Sequence, residues 1–212
     1  MTTVEDPRVG RSRALILDAA RKVFLAEGFH DATLERVAAE AGLAKRTIYN
    51  LYIDKTTLFR ETVLSAIAIA ASFTQTLTSE FRAEKNAPLN LPDVAVRLAE
   101  ATLLGPAIAL RRLVIMESVR FPDLVDRYRA GAPEAVMTAL SDAFARMTED
   151  GHLRPCDPQV AAEHFAFLIM GADLDRGTFT GERALAARVR ERALLGANAF
   201  LRAYAPDVRD GA

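Results

Sequence analysis

The stretch from Thr33 to Lys55 constrains the fold of this chain most, because it specifies two short helices joined by a sharp turn. Its first half carries apolar or small residues with the i, i+3, i+4, i+7 spacing of an amphipathic helix, at Leu34, Val37, Ala38 and Ala41. Gly42 then ends the helix, since glycine accepts a left-handed backbone without steric cost. A second helix follows, with Ile48 and Leu51 facing inward. This layout predicts a helix-turn-helix, whose second helix enters the major groove of DNA.

Helical patterns continue through the rest of the chain. No segment combines a sustained alternation of apolar and polar residues with the turn sequences of a β-hairpin. Helix-capping residues are predicted instead, at Thr33, Asp54, Asp157 and Thr180. We therefore predict an all-α fold of about nine helices. It should comprise an N-terminal three-helix helix-turn-helix domain over residues 1–53, with a flexible N-terminal arm, and a larger helical domain over residues 54–212.

Local patterns also predict where several helices begin and end. We expect the first helix to begin near Ser12 and to stop at Gly28. Pro92 favours the first turn of the fifth helix, where the missing N–H of proline has no partner to lose. The sixth helix is expected to run from about Pro106 to Phe121, and a break is predicted at Ala132-Pro133.

The composition indicates a globular protein, because 50% of the 212 residues are apolar and 26% are charged. No uninterrupted apolar run approaches the roughly 20 residues that a membrane-spanning helix needs. The N-terminus lacks the apolar region of a signal peptide, so we expect a cytoplasmic protein with no membrane partner. Cys156 is the only cysteine, which excludes an intrachain disulfide bond and fits a reducing compartment.

The net charge of −1 is low for a protein that binds DNA. Residues 1–59 hold nine basic and eight acidic side chains, so this segment carries a net charge of only +1. The placement of the positive charges is therefore more informative than their sum. Lys45 and Arg46 begin the second helix of the turn motif, and Lys55 begins the next helix. The predicted arm adds Arg8, Arg11 and Arg13.

The stretch from Ile16 to Phe59, ILDAARKVFLAEGFHDATLERVAAEAGLAKRTIYNLYIDKTTLF, resembles the DNA-binding domain of the TetR (tetracycline-repressor) family. Its T-x-Y-x-x-Y-x-x-K core consists of Thr47, Tyr49, Tyr52 and Lys55. The segment from Leu110 to Gly181 resembles the AefR-like C-terminal domains of the same family, in the pieces RRLVIMESVRFPDLVDRY and DPQVAAEHFAFLIMG. The resemblance implies a transcriptional regulator, most often a repressor, that binds a palindromic operator as a homodimer. It also implies that a small-molecule effector, bound in the larger domain, releases the operator.

The expected contacts with double-stranded DNA combine this resemblance with the chemistry of the side chains. Arg46 is suited to bidentate pairing with guanine, whereas Thr and Tyr hydroxyls can donate to phosphate oxygens. Lys55, at the start of a helix, can hold a phosphate together with free backbone N–H groups. The predicted DNA-binding residues are Thr33, Arg36, Lys45, Arg46, Thr47, Tyr49, Asn50, Tyr52 and Lys55. Two positions depart from the family pattern, since Ala44 replaces the usual Ser or Thr cap and Arg46 replaces a frequent small residue.

Two helices near the C-terminus are apolar on more than one side, so each can serve a core and a partner at the same time. The resemblance implies that these helices pair with those of a second copy as a four-helix bundle. Small residues along them permit a close approach of the helices. The predicted homodimer interface consists of Val160, His164, Phe167, Leu168, Leu185, Val189, Gly196 and Phe200.

An effector site is predicted among the helices of the larger domain. Glu117 falls within an apolar stripe, where a carboxylate is costly unless it is paired. It would bind a cationic or hydrogen-bonding group of an effector. The alternatives are an internal ion pair with Arg111, Arg120 or another helix, and simple contact with water at the end of the helix. His164 likewise has two interpretations, as a ligand group or as a satisfied core or interface residue. The predicted lining residues are Phe73, Leu103, Met116, Glu117, Phe121, Met137, Phe144, His164 and Met170.

Two other classes of function compete with a ligand-responsive regulator. An enzyme is disfavoured, because the sequence lacks a Gly-rich phosphate loop, the H-E-x-x-H and G-x-S-x-G motifs, and clustered Cys or His ligands. We accordingly expect no cofactor and no metal. The alternative is a DNA-bound adaptor whose helical domain binds a protein partner and no small molecule.

Overall fold

The computed structural model describes residues 7–83 and 87–206, and every regular element among them is an α-helix. The predicted all-α fold class is confirmed. The break predicted at Ala132-Pro133 separates two helices, so the described residues form ten helices. These are α1 (Pro7–Asp31), α2 (Leu34–Ala41), α3 (Lys45–Leu51), α4 (Lys55–Ala83), α5 (Ala87–Leu103), α6 (Ala107–Met116), α7 (Pro122–Gly131), α8 (Pro133–Glu149), α9 (Pro158–Thr180) and α10 (Ala186–Tyr204).

The chain divides into two compact units, and both α4 and α6 contribute residues to each of them. The first unit contains the chain up to Ile69 together with Leu113–Tyr128. The second contains Ala70–Arg112 and the chain from Arg129 onwards. The first unit therefore extends beyond the helix-turn-helix domain predicted over residues 1–53. Where an independently folding domain ends along the chain stays a prediction.

The turn motif of the first unit forms as its capping residues predict. Thr33 has an extended backbone, and its hydroxyl accepts a hydrogen bond of 3.1 Å from the backbone N–H of Arg36. Gly42, with a φ of 65°, ends α2 in the left-handed conformation. Gly28, with a φ of 74°, likewise interrupts the helical backbone where the first helix was predicted to stop. Ala44 precedes α3 without any side-chain cap, as its missing hydroxyl predicts.

α1 begins earlier than predicted, at Pro7. Arg11 and Arg13 consequently lie on a helix and not in a flexible arm. Arg13 pairs with Glu61 of α4 at 3.4 Å, an interaction that a mobile arm would not hold. Residues 1–6 of the predicted arm, and the side chain of Arg8, lie outside the described residues.

An aromatic cluster forms the centre of the first unit. Phe29 and Phe59 meet edge to face, with their ring centroids 5.0 Å apart. Phe121 packs against both, at 5.1 Å from Phe29 and 5.0 Å from Phe59. Beside the rings, Arg60 donates two hydrogen bonds to the carboxylate of Asp123, which hold the pKa of Asp123 below its ordinary value. The segment that leads into α7 is therefore part of this core.

α6 ends at Met116, before the predicted end at Phe121. The carbonyl oxygen of Glu117 accepts hydrogen bonds from the backbone N–H groups of Arg120, at 3.0 Å, and Phe121, at 2.9 Å. These bonds close a turn, and Pro122 then begins α7. The helix stops here because the turn directs the Phe121 ring into the aromatic cluster, a long-range contact that a local pattern does not contain.

α5 also differs from its prediction, since it begins at Ala87 and contains Pro92 in its interior. The proline still lies near the start of the helix, where its missing N–H removes only one backbone hydrogen bond.

The stretch Lys55–Phe73 of α4 is long and apolar enough to cross a membrane by length and composition alone, with a mean hydropathy of 1.2. Leu58, Phe59 and Val63 of this stretch are buried in the first unit. The apolar residues in the first turns of α4 therefore serve the core of a folded unit.

Helices α5, α8, α9 and α10 enclose the core of the second unit. Phe144, Phe165 and Phe200 are fully buried there, with ring centroids 5.0 to 5.5 Å apart. Gly196 lets α10 approach the backbone of α9, because a Cβ at this position would lie 2.5 Å from the carbonyl oxygen of Leu168. The pairing of α9 and α10 thus depends on the absence of a side chain at one residue.

A second glycine accommodates α6 in the same unit. Gly177 of α9 is buried, and a Cβ built on it would clash with Cδ1 of Ile108. The end of the isoleucine side chain therefore occupies the space that any larger residue at position 177 would need.

We predict that Gly196→Ala lowers the free energy of unfolding by about 1–3 kcal/mol, as overpacking does in a dense core, because its Cβ would meet the backbone of Leu168 and Ile169, which cannot rotate away. Gly177→Ala should cost less, because its Cβ would meet the end of the Ile108 side chain, which can change its rotamer. Thermal unfolding followed by circular dichroism measures both variants. Equal losses at the two glycines would contradict this account of the packing.

Candidate nucleic-acid interface and helical pairing surface

α3 turns one side toward the core of the first unit and the other toward solvent. Ile48 is fully buried on the inner side, and Thr47 is half-buried. The exposed side carries Lys45, Arg46, Tyr49 and Asn50. Four of the predicted DNA-binding residues are thus brought together on the accessible side of one helix.

A carboxylate from α2 reaches this exposed side. The Tyr49 hydroxyl donates to Oε1 of Glu35 at 2.8 Å, and Nζ of Lys45 lies 4.0 Å from the same oxygen. The hydrogen bond from Tyr49 lowers the pKa of Glu35, and in return Glu35 raises the pKa of Tyr49. At neutral pH the glutamate is therefore charged and the tyrosine is neutral.

The α2 residues predicted to touch DNA are engaged within the protein. Nε of Arg36 donates to Oε1 of Glu27 at 3.0 Å, and a second guanidinium nitrogen lies at the same distance from that oxygen. The hydroxyl of Thr33 accepts the backbone N–H of Arg36, as the cap of the helix. Arg36 would have to exchange Glu27 for a phosphate group in order to contact DNA.

Lys55 connects the start of α4 to the end of α1. Its Nζ donates to the carbonyl oxygen of His30 at 2.8 Å and lies 4.8 Å from the centroid of the Phe29 ring. Asp54 caps α4 by accepting the backbone N–H of Thr57 at 2.7 Å, which lowers the pKa of Asp54. An ammonium group has three donors, so Lys55 keeps capacity for a phosphate while it holds these two elements together.

Tyr52 departs from the predicted contact set. Its side chain is only 1% exposed, so its hydroxyl does not lie on the surface that presents α3. Tyr52 follows α3 directly, four residues after the buried Ile48, and this spacing places both residues on the same side of the helix. The separation of four residues between Ile48 and Tyr52 in the sequence could have identified Tyr52 as a core residue.

In the second unit, α9 and α10 present an exposed apolar surface, which we call the pairing surface. It consists of Val160, Phe167, Leu168 and Leu195, with exposures between 41% and 67%. A cleft of about 320 Å³ is lined by three of these side chains together with small residues such as Gly171 and Ala199. Leu195 was not among the predicted interface residues. The predicted interface residues His164 and Leu185 are also exposed.

Three predicted interface residues belong instead to the core of the second unit. Val189 and Phe200 are fully buried, and Gly196 packs against the backbone of α9. They lie with Ala193 and Ala197 on the inner side of α10, in the spacing of one helix face. A helical pattern of apolar residues does not tell which of two apolar sides packs within the protein. In α10, the side that carries these three residues was predicted to face a second copy, and it packs in the core of the second unit.

A buried carboxylate joins α9 to α10 near this cleft. The side chain of Asp173 is 2% exposed and lies 3.1 Å from Arg176, 3.4 Å from Arg188 and 3.5 Å from Arg192. A buried charge is tolerated only when it is paired, and these guanidinium groups supply the pairing from both helices. Sequence reasoning missed this cluster, because two of the three arginines lie on a different helix from the aspartate.

The residues predicted to line an effector site divide between the two units. Met116, Glu117 and Phe121 belong to the first unit. The remaining residues belong to the second unit, namely Phe73, Leu103, Met137, Phe144, His164 and Met170. Of these, Leu103, Phe144 and Met170 are buried in its core, whereas Phe73 and Met137 are partly buried against it.

Glu117 and His164 both have internal partners, and a contact of either residue with an effector stays a prediction. A carboxylate oxygen of Glu117 lies 3.9 Å from Nε of Arg120. Nδ1 of His164 lies 2.7 Å from the hydroxyl of Tyr204. In the part of the chain that the structure describes, no three Cys, His, Asp or Glu side chains are grouped so that they could hold a metal ion.

Two family profiles match the chain. Residues 16–62 match the bacterial regulatory proteins of the tetR family. Residues 90–206, which are more than half of the chain, match the C-terminal domain of AefR-like transcriptional repressors. No curated protein matches the chain.

Solved structures with the same fold include several transcriptional regulators. A structure described as a TetR-family transcriptional regulator from Mesorhizobium loti matches with a TM-score of 0.83 and 27% identity, over 94% of this chain and 100% of that one. SmeT, the repressor of the Stenotrophomonas maltophilia multidrug efflux pump SmeDEF, matches with a TM-score of 0.64 and 22% identity, over 92% of this chain and 91% of its own. NalD, the secondary repressor of the MexAB-OprM multidrug efflux pump in Pseudomonas aeruginosa, matches with a TM-score of 0.65 and 20% identity, over 95% of this chain and 100% of its own.

Proposed function

The chain belongs to the TetR family of bacterial transcriptional regulators, with an AefR-like C-terminal domain, and we propose that it is a homodimeric repressor that a small-molecule effector releases from a palindromic operator. Its relatives of known structure are regulators and not enzymes. The observation that carries the proposal is the exposed side of α3, with Lys45, Arg46, Tyr49 and Asn50, on a helix whose other side is anchored in a core. A helix presented in this way can enter the major groove.

The side chains on and around α3 divide by chemistry into base-reading and phosphate-binding groups. Arg46 carries the planar donor pair that matches guanine, and Asn50 can serve a base or the backbone. Lys45, Lys55 and Arg36 are suited to phosphate, together with the hydroxyls of the contact set. The buried Tyr52 supports these contacts by packing and is no longer proposed to touch DNA.

We predict that Arg46→Ala relaxes the sequence preference at one position of each half-site and weakens operator binding by about 1–3 kcal/mol. Lys55→Ala should instead weaken binding to every DNA sequence and reduce the slope of log K against log salt by about one unit per protomer. Selection from a random DNA pool, followed by binding isotherms at several salt concentrations, measures both effects.

The control for these variants is Arg21→Ala, because Arg21 pairs with Asp18 on α1 and is not among the predicted contacts. The Arg21→Ala variant should leave both the DNA sequence preference and the slope of log K against log salt unchanged. A uniform loss of affinity for Arg46→Ala would contradict its proposed role in base reading, and an unchanged slope would remove Lys55 from the phosphate contacts.

The homodimer is proposed to form through the pairing surface. Phe167 is 67% exposed and Leu195 is 60% exposed, and burying such side chains against a second copy would remove apolar area from water. Two copies are also needed functionally, since one recognition helix reads few base pairs and two related half-sites multiply the specificity.

We predict that Phe167→Glu converts the dimer to a monomer at micromolar concentration, because each dimer loses the side chain twice and gains two charges in the interface. The dissociation constant of the dimer should rise by about 100-fold or more. Analytical ultracentrifugation measures it. Val119→Glu is the control, since Val119 is 96% exposed and belongs to the first unit. A dimer that withstands Phe167→Glu would move the interface away from this surface.

The effector is proposed to bind in the second unit, most of which the AefR-like match covers. Among the apolar lining residues predicted there, Phe73 and Met137 remain partly exposed, so they are the first candidates for contact. A ligand can release DNA only if it binds the released state more tightly than the DNA-bound state. The second candidate function stays a DNA-bound adaptor, whose second unit binds a protein partner.

Thermal-shift screening against metabolites and antimicrobial compounds separates these two functions. A true effector at 100 times its dissociation constant should stabilise the protein by about 2.7 kcal/mol, and it should also lower operator affinity. A compound that stabilises the protein without weakening operator binding is not an effector. No stabilising compound, together with a stoichiometric protein partner, would favour the adaptor.

The proposed partners are therefore double-stranded operator DNA, an effector and a second copy of the chain. Since its target is chromosomal or plasmid DNA, we place the protein in the cytoplasm and propose no membrane partner.

A further inference from the structure

Glu35 lies among the side chains that the proposed function assigns to DNA. Its carboxylate accepts the Tyr49 hydroxyl at 2.8 Å and lies 4.0 Å from the ammonium group of Lys45. A hydroxyl donor and an ammonium group are also the contacts that a DNA phosphate would receive from these two residues. The carboxylate therefore engages the same donors that a phosphate needs.

The position of Glu35 is also one that favours any anion. It stands in the first turn of α2, two residues after the capping Thr33, where the helix dipole is positive. Its side chain is 43% exposed, so it can be exchanged for a group that arrives from solvent. Because the Tyr49 hydrogen bond lowers the pKa of Glu35, the carboxylate stays charged throughout the neutral pH range.

We propose that Glu35 is an internal competitor of DNA phosphate, which lowers the affinity of the reading side of α3 for all DNA without changing its sequence preference. The inference rests on the proposed DNA-binding function. In the free protein the carboxylate accepts the Tyr49 hydroxyl and attracts the ammonium group of Lys45. On DNA these donors turn to phosphate, and Glu35 is left as a negative charge beside the nucleic-acid backbone. Both effects weaken every complex by a similar factor, because phosphates do not differ between sequences.

A limited DNA affinity suits a regulator that must release its operator. An effector can change operator affinity only by its coupling to DNA binding, typically about 5- to 150-fold. If the protein bound its operator so tightly that a weakening of this size left it saturated with DNA, it would stay bound in the presence of the effector. Glu35 keeps the complex reversible by weakening phosphate contacts, while the base contacts of Arg46 still select the sequence.

The test uses full-length Glu35→Gln and two probes, a mixed-sequence DNA duplex and the operator selected from a random pool. We expect both dissociation constants to fall by about 3- to 30-fold, with their ratio unchanged. The slope of log K against log salt should become steeper by about one unit per protomer, because one negative charge no longer stands beside the DNA. Thermal unfolding should show an intact fold.

Glu40→Gln is the matched control. Glu40 lies on the same helix, its side chain is 39% exposed, and it pairs with Lys22 of α1, which is not among the DNA-binding residues. The variant removes the same charge and should change DNA affinity less than about twofold. Equal gains for the two variants would overturn the proposal, because they would reflect net charge alone. A loss of affinity in Glu35→Gln would also overturn it, by showing that the carboxylate supports the DNA-bound conformation.

A double-mutant cycle shows whether Glu35 acts through its contact with Lys45. In a Lys45→Ala background, Glu35→Gln should gain less affinity than in the wild type, and an equal gain would refute the competition. Wild-type protein that binds neither duplex in a salt-dependent way would refute the DNA-binding function itself. Normal wild-type binding with no response to Glu35→Gln would refute only the role of Glu35.

Discussion

The burial of one side of α3 is the constraint on which the proposed DNA-binding surface, the exposed side of this helix, depends. α3 has only 7 residues, and a helix of this length is unstable in water on its own. Ile48 and, just beyond the helix, Tyr52 are at most 1% exposed and anchor it in the core of the first unit. Since these residues share one side, the opposite side is turned to solvent, with Arg46 and Asn50 among its residues. The surface that we propose to read DNA is therefore presented to solvent because the core holds the helix.

The same core explains why the segment before α7 belongs with the helix-turn-helix. Phe121 packs on Phe29 and Phe59, and Asp123 is held by Arg60. An apolar stripe that ends in Phe121 looks, in the sequence, like one wall of a ligand pocket. The actual contacts of Phe121 and of the neighbouring Asp123 are with residues about sixty to ninety positions earlier in the chain. The long-range packing of this segment could not be read from its own residues.

Most expectations about helix caps and helix-ending glycines, which depend on neighbours within one helical turn, agree with the structure, although Thr180 ends α9 and does not cap α10. Thr33 caps α2 and Asp157 caps α9, each by accepting backbone N–H groups two or three residues away. Gly42 ends α2 in the left-handed conformation, and Ala44 leaves α3 uncapped. The exposed candidates on α3 follow from the same local logic, because the inward positions of a short amphipathic helix define its outward ones.

Predictions about which side of a helix packs against the other helices were less successful. The chain's amino acids determine that α10 is apolar along much of its length, because helical period is a property of residues three and four positions apart. Only the tertiary structure decides that Val189 and Phe200 face the core while Leu195 faces solvent, since that choice depends on α5, α8 and α9. The partners of Asp173 on α10 were decided in the same way. The sequence by itself thus specifies the helices, their caps and the kind of protein, whereas contacts between distant segments decide which residues remain available to DNA or to a second copy.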